Sequence, residues 1–497
     1  MDMGMATFSK QSGATRDAAT ELAGLPPDRL TAAAPLGWRI TIVCSMVALL
    51  ETTAVGMVGG ALTDIQDTFG LNDTLAGLIP TAAVVGSLLA AVPSANLADR
   101  HKRVLVLGSA AVLWTLVVLG SAFAPVFALF LFTRVALGAA AQLNNPAASS
   151  LIADAHPARA RARAYGYERM ANYLGLPMGI ALGAALAEAL GWRTAFAVLA
   201  IPGVLAALAV ATLREPPRGL GDLLDRRGRQ GSAPPAEEWH GPLAEPAVGP
   251  AGGEGVEAPL HATHAAEAPG TVEHPEDELS VMARIRMLWA IPTMRTLLVG
   301  IPVLFSALAS LFFWSTAYFE DVHGLDESAA GGIAGGVGGT GIVIGIIIGS
   351  RLGDRHHGSR DGWRLRLSGS VLLVASVFFA GFLLLPTTAA QAACFGLANV
   401  FIAMAIPNLT AAVADVVPAR MRGMAFSSVQ FLIALGSAAG PPIVGATSDI
   451  FGSLRPAMAV LLVPLAAAGE WVRRGSHSFD GDATAVVENA DSPSALQ

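Results

Sequence analysis

Stretches long and apolar enough to cross a membrane recur through this chain, and their number constrains its fold more than any other feature. A spanning helix needs ~20 mostly apolar residues, and inside lipid only helices or closed barrels satisfy their own backbone groups. Six such stretches fall near 38–60, 74–97, 104–124, 126–152, 164–190 and 194–213; after a polar tract, six more fall near 292–319, 328–352, 367–385, 391–414, 424–445 and 455–472. The expected fold is an all-α membrane protein, with twelve transmembrane helices in two pseudo-symmetric six-helix bundles. Composition agrees: 53% of the 497 residues are apolar and 14% charged, against about 25% charged in soluble domains.

The expected organisation is a tail over 1–37, a first bundle over 38–213, a linker over 214–290, a second bundle over 291–474 and a tail over 475–497. The first segment lacks the apolar core and small-residue cleavage site of a signal peptide, so it reads as a cytoplasmic tail. The linker is dense in Pro, Gly, Ala and Glu and reads as disordered, closing on an interfacial helix in which Leu279, Met282, Ile285 and Leu288 recur at three- or four-residue spacing. Arginine and lysine cluster in alternate short loops: Arg100, Lys102 and Arg103; Arg159, Arg161 and Arg163; Arg355, Arg360, Arg364 and Arg366; Arg420 and Arg422. The opposite loops hold acids, among them Asp64, Asp67, Asp73, Glu320, Asp321, Asp326 and Glu327. By the positive-inside rule both termini are cytoplasmic, and Ala-rich, Arg-over-Lys usage suggests a bacterial inner membrane.

Several function classes fall away. The only lysines are Lys10 and Lys102, neither after a glycine, so no GK[ST] phosphate loop exists to drive an ATP-powered pump. No HExxH or GxSxG occurs, no nucleophile, base and oxyanion set can be assembled, and catalysis is not expected. No broad basic patch invites nucleic acid. Cys44 and Cys394 lie in apolar segments of opposite halves and define no disulfide framework. His261, His264 and His274 in the polar tract read as solvated, so no metal and no cofactor is expected beyond protons as coupling ion.

An internal duplication is the most informative pattern. NLADRHKR, with Asp99 and Arg100, returns as RLGDRHHG, with Asp354 and Arg355, 255 positions later; ADAHPARARARA from Ala153 returns as ADVVPARMRGMA from Ala414, 261 later. Six-helix halves in parallel register, with a site between them near the midplane, describe a secondary transporter.

Over about 38–473 the chain resembles the major facilitator superfamily. Ala98 to Arg103 is similar to that family's loop motif between helices 2 and 3, with Ala95 and Lys102 where glycine is usual. Arg134 to Gly138 resembles the RxxxG motif of helix 4, and Gly175 to Gly183 the glycine-proline motif of exporters. ALTDIQDTFGLNDTLAGLI, TLREPPRG and STAYFEDVHGLDESAAG resemble the Spinster-type lipid transporters. In that family helix 1 carries an acid followed by arginine, and helix 4 a second acid; here Glu51 keeps the first acid, while Thr52 and Ala141 occupy the other two places.

Glu51 stands ~20 Å from the cytoplasmic face and Arg134 ~12 Å from the outer face of a ~30 Å core. Buried charges are costly unless paired or wetted, so the two are expected to interact in a central cavity, protonation of Glu51 releasing Arg134 for a substrate anion. The other reading is a static ion pair tying two helices. Asp99, Arg100 and Arg103, with Asp354 and Arg355, read as a cytoplasmic latch between the halves, or as orientation signals alone. Candidate cavity residues are Thr53, Gln142, Asn145, Tyr173, Trp314, Tyr318, Asn399 and Gln430. Gly331, Gly335, Gly338, Gly341, Gly345 and Gly349 read as a packing face.

The function expected is proton-coupled alternating-access transport, by a monomer in the bilayer, of an amphipathic substrate such as the lysophospholipid that the resemblance implies. Rival readings are a proton/drug antiporter exporting hydrophobic compounds, and an uncoupled lipid scramblase or sensor.

Overall fold

The computed structural model describes residues 34, 36–218, 220, 281–355, 361–418 and 421–490. Most of the linker, with His261, His264 and His274, lies outside them, as do the tails over 1–33 and 491–497. Among the described residues twelve helices are long and apolar enough to span a membrane. The first half comprises α1 (Arg39–Gly60), α2 (Asp73–Arg100), α3 (Arg103–Ala122), α4 (Phe127–Ala155), α5 (Ala158–Leu190) and α6 (Trp192–Ala211). The second comprises α7 (Pro292–His323), α8 (Glu327–Arg355), α9 (Trp363–Leu384), α10 (Thr388–Val416), α11 (Arg422–Phe451) and α12, broken into Leu454–Ala459 and Leu462–Ala490. The all-α, twelve-span fold is thus the one the sequence indicates.

Successive helices run antiparallel, which gathers the arginine-rich turns on one face and the acidic turns on the other. We call these the basic and acidic faces. Within the first half, α1 packs along α5 and α2 along α4. These approaches are so close that side chains are excluded: a Cβ on Gly179 would overlap the Thr53 carbonyl, and one on Gly138 would overlap that of Ala83. The second half repeats the arrangement, and its glycine stripe on α8 serves two partners. Gly331 and Gly335 meet α5 of the other half, whereas Gly341, Gly345 and Gly349 meet α10. The stretch Gly332–Val337 between them is π-helical, which rotates the small-residue face from one neighbour toward the next.

Two boundaries move from their expected places. Glu215, assigned to the linker, accepts the Arg103 and Val104 amides at 2.8 and 2.9 Å and so caps α3. The segment expected as a tail from 475 instead continues α12 as helix to Ala490, and Asp482 caps α7 through the Thr293 amide at 2.8 Å. Polar composition masks both: Glu215 acts from an irregular segment, and a helix outside the hydrocarbon needs no apolar run. Val281–Ala290 is helical, where the interfacial helix is expected.

The halves meet through α2 with α11, α5 with α8 and α1 with α7. Thr81 donates to the Ala438 carbonyl at 2.6 Å, and Gly77 abuts Pro441 and Pro442. Replacing Gly179 by leucine is expected to force α1 from α5 at a cost of about 1–3 kcal/mol, read as a lower Tm of the purified protein.

Candidate functional site

Between the halves lies a cavity of about 300 Å3. Val55 and Gly59 of α1, Pro80 of α2, Leu137 and Ala141 of α4, Leu176 and Ile180 of α5, and Phe312 and Phe313 of α7 make its wall apolar. Side chains with polar atoms there are Glu51, Ser87, Ser437 and Trp114, whose indole N–H has no partner, and Glu51 is the one titratable group of the lining. Glu51 is 8% exposed and accepts a hydrogen bond from Asn144 Nδ2 of α4 at 3.1 Å. Asn144 Oδ1 has no hydrogen-bond partner.

The expected pairing of Glu51 with Arg134 is not formed in this conformation. Arg134, 1% exposed, instead donates to the Ser121 hydroxyl of α3 and lies over the rings of Phe130 and Phe196, 4.7 and 5.1 Å from their centres. Its Nε and Nη1 have no partner. Helix direction explains the separation: side chains lean toward the N-terminus of their own helix. α4 starts at the acidic face and α1 at the basic face, so Arg134 leans one way and Glu51 the other from similar depths. Thr52, where the family pattern has arginine, bonds back to the Ala48 and Leu49 carbonyls of its own helix at 3.0 and 3.2 Å.

None of the eight expected cavity side chains lines this cavity. Thr53 bonds the Leu49 carbonyl, Trp314 the Pro441 carbonyl at 3.0 Å, Tyr318 the Phe382 carbonyl at 3.5 Å and Asn399 the Phe395 carbonyl at 2.9 Å, all buried in helix contacts. Gln142 and Tyr173 are half-buried, while Asn145 and Gln430 are exposed. The α4 face that meets the cavity carries Leu137, Gly138 and Ala141, and Asn144, three residues on, continues it. The sequence reading took the polar neighbours on either side of Asn144 and missed it; continuing the period from Ala141 would have found it. It also passed over Glu168 of α5, a carboxylate 8% exposed with Arg169 Nε at 3.4 Å.

The expected latch residues are distributed differently as well. Arg103, 1% exposed, is held within its own half by Asp154, by Glu215 at 3.1 Å and by the Ser150 hydroxyl at 2.9 Å. Arg364 occupies the equivalent place 261 positions later and faces Asp415, the counterpart of Asp154, at 3.3 Å. Asp354, largely exposed, lies 3.6 Å from Arg364, and Arg100 and Arg355 are exposed; the side chain of Asp99 lies outside the described residues. Among the described residues, none of the ion pairs at these positions crosses between the halves. The molecule is closed at its acidic face, where Thr63 donates to Glu320 across the halves. Near that acidic contact, burial and the neighbouring Asp67 raise the Asp64 carboxyl above the usual carboxylate range.

The signature of the Major Facilitator Superfamily matches residues 44–441, and the chain belongs to that family of membrane transporters. Within it the chain is similar in sequence to Spinster proteins. It is 33% identical to protein spinster homolog 1 of Mus musculus over 184 residues, 36% of this chain and 35% of that protein, and 27% identical over 196 residues to protein spinster of Drosophila melanogaster, covering 39% and 32%. The matches to these curated relatives thus span about a third of their length. The fold is similar to that of a bacterial homologue of the human lysosomal transporter Spinster in an inward-facing and unoccupied conformation, with a TM-score of 0.69 at 20% identity over 89% of this chain and 97% of that one. It is also similar to the D-xylose-proton symporter, with a TM-score of 0.61 at 16% identity over 88% and 97%.

Replacing Arg103 by alanine is expected to remove the buried cation that Asp154 and Glu215 share, at a cost of about 3–5 kcal/mol, measured as lost thermal stability with the cavity unaltered.

Proposed function

We propose that this chain is a proton-coupled secondary transporter of amphipathic, largely apolar substrates, and that a single-chain lipid such as a lysophospholipid is its cargo. The observation that carries this reading is the apolar cavity between two movable halves, with Glu51 its lone titratable group. A carboxyl in such a place binds and releases a proton as the site alternates between exposure and closure, because an unpaired buried charge is costly. Asn144 supports both states, donating to the carboxylate and offering its free Oδ1 to the protonated acid.

The cavity chemistry also separates this chain from its sugar-carrying structural relative. A sugar needs a partner for each hydroxyl, and a site that leaves hydrogen-bonding groups unpaired rejects the ligand strongly. Two serines, one acid and the Trp114 indole do not supply that set. At the small end of the ~300–1,000 Å3 range of ligand pockets, the cavity suits an acyl segment, with a headgroup toward the open side. A hydrophobic cation is the second reading, favoured by one specific observation: Arg134 lies away from the cavity, which leaves an acid there without a base. We assign the basic face to the cytoplasm of a bacterial inner membrane, place both termini there, and take the monomer as the working unit.

The test is uptake of fluorescent lysophospholipid into proteoliposomes with and without an imposed pH gradient, for wild type and Glu51→Gln. Gradient-driven accumulation is expected for wild type and passive equilibration for the variant. Equal equilibration under all conditions would mean a scramblase, and gradient-dependent export of a lipophilic cation with no lipid movement would establish the second reading. Because Arg134 is outside the cavity in the described state, Arg134→Lys is expected to preserve ligand binding there and to alter turnover.

A further inference from the structure

We propose that Glu188 and Asp449 are symmetry-related latches that hold the acidic face shut, each carboxylate capping a helix of the opposite half. Asp449, near the end of α11, accepts the backbone N–H groups of Asp73 and Thr74 at the start of α2, both at 3.0 Å, and the Thr74 hydroxyl at 2.5 Å. Glu188, near the end of α5, accepts the Ser328 N–H at the start of α8 at 2.7 Å. The first N–H groups of a helix have no partner within it and sit at the positive end of its dipole. Each carboxylate therefore completes a helix that belongs to the other half.

These caps are additional to local ones. Asn72 accepts the Leu75 N–H at 3.1 Å and Asp326 the Ala329 N–H at 2.7 Å, so α2 and α8 start without help from across the interface. The cross-half bonds are free to break without unwinding either helix.

The gene duplication has copied both partners of the latch. The run from Gly70 to Gly77, GLNDTLAG, returns as GLDESAAG from Gly324 to Gly331, and Glu188-Ala-Leu-Gly191 returns as Asp449-Ile-Phe-Gly452. The turn glycines match in backbone too, with φ of 63° and 61° at Gly70 and Gly324 and of 79° and 67° at Gly191 and Gly452. A chance surface contact would not recur at equivalent places with an acid on the amide of a hydroxyl-bearing residue each time. Here Thr74 and Ser328 are those residues.

Opening the acidic face separates α2 from α11 and α5 from α8, and so breaks both latches together. The consequence holds whatever the cargo and whether or not protons drive it, and it rests on the alternating-access reading alone. The test places spin labels at Phe123→Cys and Leu384→Cys, exposed positions at the acidic ends of α3 and α9, in a background with Cys44→Ala and Cys394→Ser, in lipid nanodiscs. Glu188→Ala and Asp449→Ala are each expected to raise the ratio of acidic-face-open to closed molecules about fivefold, the effect of losing one N-cap, and the double variant by about the product. Asp67→Ala, an exposed acid of the same face, should leave the distribution unchanged. A wild-type distance distribution in the double variant would overturn the proposal. An independent arm joins Glu188→Cys to Ser328→Cys: oxidation should abolish the open population and reduction restore it, whereas opening that persists in the cross-linked protein would also overturn it.

Discussion

Helices already surrounded by lipid gain nothing from expelling water between them, and in this protein close backbone approach takes the place of that force. α2 and α4 meet where Gly86 faces Val135 and Gly138 faces Ala83, and α8 and α10 meet where Gly345 faces Val400 and Gly349 faces Met404. Each contact brings a carbonyl against a position with no side chain, so the two helices of a pair have one register and little room to slide. Rigid halves follow from these seams. In the proposed transport cycle motion is confined to the surface between the halves, which is where the cavity and the acidic-face contacts lie.

That confinement gives Glu51 its significance. Within a rigid half a buried acid would be a fixed cost, but Glu51 stands on the wall that the moving surface covers and uncovers. Arg134 has the opposite character, since its neighbours Phe130, Ser121 and Phe196 all belong to the same half. The RxxxG arginine is in this state a member of the α3, α4 and α6 packing. The two charges were natural partners by depth, yet depth fixes only the height of a Cα atom and says nothing of the direction in which a long side chain leaves the helix.

The spans and the duplication were legible because both are written in periodic, one-dimensional signals: apolar length and a repeated loop. Individual site residues were not, because each depends on which face of a helix meets which neighbour. Choosing Gln142 and Asn145 over Asn144 is an error of two positions and of one, about 200° and 100° around a helix. Trp314 and Tyr318 have the composition of binding residues, but their polar atoms are occupied by the carbonyls of Pro441 and Phe382. The latch acids Glu188 and Asp449 were readable in principle, since the same 261-residue offset that relates the arginine loops relates them. They were passed over because acids in the exposed last turn of a helix look like ordinary solvated charge until a second chain segment is seen beside them.

One feature breaks the symmetry of the halves. The long segment of α12, Leu462–Ala490, has 29 residues, a rod of ~43 Å at 1.5 Å per residue, against a hydrocarbon core of ~30 Å. Its last turns run past the start of α7 on the basic face and cap it through Asp482. α6, its counterpart, ends at Ala211 with no such extension. The second half therefore binds its first spanning helix to its last outside the apolar run, a tie with no counterpart among the described residues of the first half.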